Sequence, residues 1–135
     1  MQQIDADSVK VIIDTNALMT AEQFGVDIFG ELLRLGYVEW LVPAQVKGEL
    51  RSLADGADKG RDKTAARVAL GLAERCTIVG IDNCPADRAI EELAEKEGAA
   101  VFTNDKALKK RLFSKGITVI YLRQGRYLEA TKKEY

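Results

Sequence analysis

The sequence predicts an α/β protein with a mostly parallel, five-stranded sheet that helices cover on both faces. Short apolar runs alternate with segments of helical apolar spacing, and this order favours right-handed crossovers between parallel strands. The chain has 135 residues, which fits one domain of the usual size of roughly 100–200 residues. Its residues are 47% hydrophobic and 30% charged, which supplies a core and excludes a disordered chain.

Five apolar runs predict the strands of this sheet. The first, residues 9–13, is apolar except for Lys10 and is typical of a buried strand. The later runs are separated by stretches long enough for a helix, as parallel connections require. In chain order, the predicted strands are residues 9–13, 37–42, 76–81, 99–102 and 117–122.

Helical spacing of apolar residues predicts the connecting segments. Gly36, Gly98 and Gly116 each follow such a segment, at the position where glycine commonly ends a helix. Pro43 and Asp62 stand where a helix can begin. The predicted helices are residues 26–35, 43–53, 62–73, 85–97 and 106–115. The Gly- and Asp-rich stretch 54–60 lacks periodicity and is predicted as a loop.

No internal repeat, linker or low-complexity segment divides the chain. We expect a single domain over residues 1–125 and a polar, loosely attached tail over residues 126–135. No apolar run approaches the ~18 residues of a membrane span, and the first residues are acidic where a signal peptide is basic. The expected location is therefore the cytoplasm, with no membrane partner.

The composition excludes several kinds of catalysis. The chain has no histidine and two cysteines, which excludes Ser-His-Asp and Cys-His catalysis and zinc sites built from imidazole or four cysteines. Enzymatic chemistry must then rest on carboxylates, Lys, Tyr, Ser/Thr or a bound metal. The net charge is −1, so overall charge gives no argument for a nucleic-acid partner, although it leaves room for a local basic patch.

Two carboxylates follow strands of the predicted sheet. Asp14 comes directly after the first strand, and Asp105 comes after the fourth, behind Thr103. Parallel strands end at the same edge of a sheet, and ligands bind there where the strand order reverses. Asp is also a common helix cap, which is the alternative interpretation for Asp105 and for Asp87.

Two further carboxylates share the apolar stripes of their helices. Glu49 lies three residues after Val46 and four before Leu53, and Asp87 shares a stripe with Ile90. Burying several carboxylates together is unfavourable unless something compensates their charge. Mg²⁺ or Mn²⁺ would do so, because these hard cations take oxygen ligands and need neither His nor Cys.

Basic residues cluster after the fourth and fifth predicted strands. Most of this set is expected to form an ordinary solvated face, and the alternative is a phosphate-binding rim beside the acids. The residues of the candidate RNA-binding rim are Lys106, Lys109, Lys110 and Arg123.

Other phosphate-handling sites find less support. The chain has neither G-x-G-x-x-G nor G-x-x-x-x-G-K-[ST]. A haloacid-dehalogenase phosphatase needs D-x-D, and position 16 is Asn. A response-regulator receiver needs Lys after the fifth strand, where this chain has Arg123. A phosphatase or phosphotransfer domain and an inactive RNA-binding scaffold remain the alternative functions.

Four motifs, spread in order over nearly the whole chain, resemble those of PIN-domain ribonucleases. They are VIIDTN at 11–16, Val42-Pro43 with Glu49, Ala86-Asp87 with Ile90, and Thr103-Asn104-Asp105. The stretch 119–124 is similar to the archaeal small single-domain members, close to ribosomal-RNA-processing PIN nucleases. The resemblance implies a three-layer α/β/α sandwich and Mg²⁺- or Mn²⁺-dependent cleavage of single-stranded RNA.

The resemblance also assigns roles to residues. It implies Asp14, Glu49, Asp87 and Asp105 as the catalytic and metal-binding acids, with Asn16 and Thr103 as polar support. We expect Asp14 with Asp105 and Asp87 to hold a cation, and Glu49 to orient a second cation or a water. Related sequences often have a second acid after Asp87, where this chain has Arg88, so either one ion or two fits the hypothesis.

The expected partners follow from the same family. The RNA substrate is a ribosomal precursor if the protein processes RNA. The protein has an antitoxin partner if it is a VapC-type toxin of a toxin–antitoxin pair. A homodimer is also expected, because PIN proteins of this size commonly pair.

Overall fold

A computed structural model describes residues 9–56, 60–80 and 84–131, with the backbone alone for residues 60–62. This part of the chain forms six strands: β1 (Lys10–Ile13), β2 (Glu39–Pro43), β3 (Thr77–Val79), β4 (Ala100–Phe102), β5 (Val119–Arg123) and β6 (Tyr127–Ala130). It also forms six helices: α1 (Thr15–Gln23), α2 (Ile28–Arg34), α3 (Ala44–Gly56), α4 (Gly60–Ala73), α5 (Ala86–Glu97) and α6 (Lys106–Ser114).

The strands form one sheet in the order β3-β2-β1-β4-β5-β6. β1 to β5 run parallel, and β6 pairs antiparallel with β5. In register, Val11 lies between Trp40 of β2 and Ala100 of β4. The chain builds outward from β1 to β3 and then returns to the other side of β1 with β4. The strand order therefore reverses between β1 and β4, where a ligand crevice is expected.

Helices cover both faces of the sheet. Right-handed crossovers place α1 to α4 on one face and α5 and α6 on the other, and α1 packs against α2, α3 and α4. The central strands are apolar on both faces because both are covered, and Val11, Ile12 and Ile13 are fully buried. Each such side chain contributes about 1.5–3 kcal/mol by leaving water. The predicted three-layer α/β/α architecture is confirmed.

The sheet has six strands rather than the predicted five. The sixth, β6, lies in the segment expected as a polar tail, and its Leu128 is fully buried opposite Leu122 of β5. β6 has only four residues and is interrupted by Glu129, so it is too short for its periodicity to identify it as a strand. Residues 132–135 of the expected tail lie outside the described residues.

Two side chains of α2 cover the outer edge of β6. The backbone N–H of Leu128 donates to Glu31 Oε1 at 3.0 Å, and its carbonyl accepts from Arg34 Nη2 at 2.7 Å. Glu31 and Arg34 also bind each other at 2.9 Å. Together they take the place of a further strand, which protects the edge from pairing with another chain.

The helix boundaries correct four predictions. Pro43, predicted to begin a helix, is the last residue of β2, and α3 begins at Ala44. The helix predicted from residue 26 is preceded by α1, whose buried Ala17 and Ala21 are too small to give a strong apolar pattern. Gly25, with φ of +71°, separates α1 from α2. The predicted loop 54–60 is wrong at both ends, because residues 54–56 belong to α3 and residue 60 belongs to α4; residues 57–59 lie outside the described residues. Asp62 therefore lies within α4 and not at its cap.

Candidate active site

The four predicted acids line one cleft at the carboxyl ends of β1 and β4. The cleft has a volume of about 460 Å³ and contains Asp14, Glu49, Asp87 and Asp105 in its wall. These acids come from the end of β1, from α3, from the first turn of α5 and from the cap of α6. The structure thus brings all four together at the point where the strand order reverses.

Asp14 is the most buried of these acids. Its backbone N–H donates to the carbonyl of Phe102 at 3.1 Å, which continues the β1–β4 pairing by one residue. Burial raises the pKa of its carboxyl to about 6. Hydrogen bonds from the Thr103 side chain and the Thr15 backbone lower this pKa, whereas the negative charges of Asp87 and Glu49 raise it. The folded protein therefore keeps this charge at neutral pH against a desolvation cost.

Thr103 connects Asp14 to the loop that follows β4. It is fully buried, and its hydroxyl donates to Asp14 Oδ2 at 2.8 Å and accepts from the backbone N–H of Asp105 at 3.1 Å. One hydroxyl thereby fixes the spacing between two of the predicted acids. The structure places Thr103 where polar support was predicted.

Asp105 caps α6, as predicted by the alternative interpretation that this residue is a helix cap. Its Oδ1 accepts from the backbone N–H of Leu108 at 2.9 Å. Its side chain nevertheless lines the cleft, so capping and a position in the site are compatible. Asp87 does not cap α5: the cap residue is Pro85, without a side-chain hydrogen bond.

Glu49 points into the cleft but is exposed, whereas its stripe predicted burial. The side of α3 that carries Glu49 faces the open cleft and not the core. Its Oε1 accepts from the hydroxyl of Thr15 at 2.7 Å. This bond links Glu49 to the residue after Asp14, and the sequence analysis did not predict it because the partners are 34 residues apart.

Asp87 has a cationic partner that the sequence analysis missed. Arg111 of α6 lies 3.5 Å from Asp87 Oδ2 and 2.8 Å from Glu91 Oε2. Lys115 binds Glu91 at 3.1 Å and Glu95 at 3.6 Å. These ion pairs join α5 to α6 beside the cleft, and they partly offset the charge of Asp87.

Asn16 also lines the cleft, where its Oδ1 accepts from the hydroxyl of Thr20 at 2.7 Å. The remaining wall includes Met19 and Gln23, which the sequence analysis did not single out, and Leu53, which was assigned to a buried stripe but is 39% exposed. Because these residues lie on α1 and α3 at ordinary helical spacing, the sequence offered no signal for them.

The charged side chains that line the cleft are all carboxylates, and Arg111 lies beside one of them, Asp87. Carboxylate oxygens are suitable ligands for a hard divalent cation. Within residues 9–56, 60–80 and 84–131, however, no three acidic side chains lie close enough together to form a ready coordination group. The acids surround a space and do not form a preassembled cage.

The predicted RNA-binding residues separate into two places. Lys106, Lys109 and Lys110 line a second groove along α6. Arg123 lines neither the cleft nor this groove. Its guanidinium binds Glu129 at 2.8 Å across the β5–β6 hairpin.

The fold and the cleft define a class: a three-layer α/β domain with a carboxylate-lined site at its switch point. The sequence identifies the family, because residues 11–125 match the family described as PIN like domain. The chain belongs to this family, which confirms the resemblance. In the described part of the chain, no helix has the length and apolar character needed to cross a membrane.

Named relatives and solved structures agree with this assignment. The chain is 37% identical over 115 residues to Ribonuclease VapC9 of Archaeoglobus fulgidus, which covers 85% of this chain and 84% of the relative. It is 33% identical over 124 residues to Ribonuclease VapC4 of Methanocaldococcus jannaschii, covering 89% and 95%. The structure of the PIN domain endonuclease Utp24 superimposes with a TM-score of 0.76 at 26% identity and covers 92% of each chain.

Proposed function

We propose that this chain is a metal-dependent endoribonuclease that hydrolyses phosphodiester bonds of single-stranded RNA in the acidic cleft. The observation that carries the proposal is the convergence of four carboxylates from separate segments on one cleft at the switch point. The relatives support a PIN-type endoribonuclease that acts as a toxin or in RNA processing. The metal, the strand preference and the residue roles are our proposal.

We assign Mg²⁺ or Mn²⁺ to Asp14, Asp105 and Asp87, with Glu49 orienting a second ion or a water. Such an ion, when bound, polarises a phosphoryl oxygen and lowers the pKa of water. The chain's own residues prepare the site: Thr103 orients Asp14, and Thr15 orients Glu49. Without histidine, carboxylates are left to accept the proton of the attacking water.

The separation of the acids has a consequence for metal binding. Because no three described acids form a ready coordination group, we expect weak metal binding by the protein alone. Binding should tighten when RNA is present, because its phosphate oxygens add hard ligands. Titration of Mn²⁺ with and without a non-cleavable RNA analogue measures this difference.

The phosphatase alternative lacks its second aspartate. Asn16 occupies that position, and its side-chain oxygen is engaged by Thr20. A toxin and an RNA-processing enzyme share all the chemistry proposed above. An antitoxin-like reading frame beside the gene would favour the toxin. The antitoxin partner, the ribosomal precursor, the cytoplasmic location and the homodimer remain predictions, and light scattering tests the last.

The proposed activity is tested on labelled single-stranded RNA with Mg²⁺, Mn²⁺ or EDTA. We expect cleavage with either ion, none in EDTA, and none by Asp14→Asn. The matched control is Glu92→Gln, which neutralises an exposed acid of α5 that does not line the cleft. Equal cleavage in EDTA by the wild type and by Asp14→Asn would contradict the proposal.

A further inference from the structure

The basic residues of α6 fall into two groups according to their partners. Arg111 and Lys115 bind acids of α5. Lys106, Lys109 and Lys110 form no ion pair with any residue in the described part of the chain. One helix thus has a neutralised side that holds the fold together and a side with three uncompensated positive charges.

The three uncompensated lysines line a groove of about 490 Å³, here called the α6 groove, together with Phe113 and Thr131. Phe113 is a large apolar side chain with 43% of its surface exposed. The exposed part of this ring, close to three lysines, is open to a ligand. The combination matches an anionic ligand with a flat, stackable part.

Two residues of the α6 groove wall, Lys109 and Thr131, are held in place by other contacts. Lys109 Nζ lies 3.9 Å from the centre of the Tyr121 ring, a cation–π contact that fixes the side chain. The N–H of Thr131 donates to the carbonyl of Val119 at 2.8 Å, and its hydroxyl accepts from the N–H of Val119 at 3.0 Å. This part of the wall therefore needs no ordering when a ligand binds, which lowers the entropic cost of binding.

We propose that the α6 groove binds an unpaired RNA base on the ring of Phe113, while Lys106 and Lys110 bind the adjoining phosphates. This inference rests on the proposed function and extends it to a second site for the same strand. Lys106 of the groove directly follows Asp105 of the cleft in the chain, so one end of the groove is one residue from the acids. Phe113 lies seven residues further along α6, about 10 Å at the helical rise of 1.5 Å per residue.

This arrangement selects single-stranded RNA for a physical reason. A base within a duplex is already stacked on its neighbours and cannot present its face to a protein ring, whereas an unpaired base can. Base–aromatic stacking tolerates every base because each has a π-face. The α6 groove therefore anchors the strand without reading its sequence and delivers the neighbouring phosphates towards the acids.

The test measures binding of a labelled, unstructured oligoribonucleotide in EDTA, where cleavage does not interfere. Phe113→Ala and Phe113→Leu should each weaken binding about tenfold, as loss of one stacked base predicts, and Phe113→Trp should retain wild-type affinity. Leu33→Ala is the matched control, since it truncates an exposed apolar residue of α2 on the opposite face. An oligomer that is abasic throughout should reproduce the loss with wild type and bind Phe113→Ala no more weakly than the base-containing strand does, because no shift of register can then place a base on the ring.

Two outcomes would overturn the inference. Equal affinity of Phe113→Leu and wild type would show that aromatic stacking contributes nothing there. Equal losses from Phe113→Ala for a blunt duplex and for the single strand would show that no unpaired base is bound. Failure of the proposed function looks different: wild type would then leave the single strand uncut in Mg²⁺ and Mn²⁺, or cut it equally in EDTA, whatever its affinity for the strand.

Discussion

Replacing Asp14 by asparagine tests whether its carboxylate serves the function or the fold. Asn is nearly isosteric, and its carbonyl oxygen can still accept the hydrogen bond from Thr103, which is 2.8 Å long in the wild type. The substitution therefore removes the charge and leaves the packing and the main hydrogen bond. If Asp14 serves the fold alone, its loss should lower stability.

The structure gives the expected size and sign. Burial raises the pKa of Asp14 from 3.8 to about 6. At 1.36 kcal/mol per pKa unit, the ionised side chain lowers the free energy of unfolding by about 3 kcal/mol. Below the pKa of the unfolded chain, Asp14 is protonated in both states and costs no stability. The free energy of unfolding then falls between about pH 4 and pH 6, and the full loss is present above pH 6. Asn has no such cost.

Thermal unfolding of both proteins in EDTA across this pH range measures the effect. We expect equal stability near pH 4 and a variant more stable by up to about 3 kcal/mol at pH 7, which is roughly 10 °C in Tm for a chain of this size. Mn²⁺ at high concentration should raise the Tm of the wild type by mass action and that of the variant much less. A variant that is less stable at pH 7 and keeps the full response to Mn²⁺ would refute the reasoning.

Three other substitutions test neighbouring contacts. Thr15→Val removes the hydrogen bond to Glu49, so it should slow cleavage in single-turnover kinetics. It should change the free energy of unfolding in urea by less than about 1 kcal/mol. Unchanged kinetics would show that Glu49 needs no positioning by Thr15. Replacing Lys106 and Lys110 by Gln should reduce the slope of log affinity against log salt by about 1.4, whereas Arg123→Gln, whose guanidinium is bound to Glu129, should leave it unchanged. Arg111→Gln should lower the free energy of unfolding in urea by at most about 1 kcal/mol, because the ion pairs of Arg111 with Asp87 and Glu91 are partly exposed. A much larger loss would mean that the α5–α6 contact depends on these ion pairs.

Much of the site could be predicted because it follows from topology. Asp14 follows β1 directly and Asp105 follows β4 after two residues, and parallel strands end at one edge, so their convergence needed only the strand assignments. The apolar stripes of α3 and α5 singled out Glu49 and Asp87, but they also predicted burial, and both residues are exposed. These inferences use the short-range periodicity of apolar residues, which is visible in the sequence itself.

The remaining features depend on contacts between distant segments. The bonds from Thr15 to Glu49 and from Arg111 to Glu91 form because the fold brings different helices together, and no local pattern signals either. β6 is held by pairing with β5 and by Glu31 and Arg34 of α2, and its own four residues are too short a run to identify a strand. The exposure of Glu49 likewise depends on the cleft beside it.

The most direct test of the central claim compares the four acids in one cleavage assay. If they form one metal-dependent site, Asp14→Asn, Glu49→Gln, Asp87→Asn and Asp105→Asn should each lower the single-turnover rate on single-stranded RNA by about a hundredfold or more, with Glu92→Gln unchanged. Paired substitutions should cost far less than the product of the single effects, because groups that act as a unit are not additive. Wild-type cleavage by the Asp14→Asn and Asp105→Asn variants would contradict the account, because the cleft would then not be the place where RNA is cut.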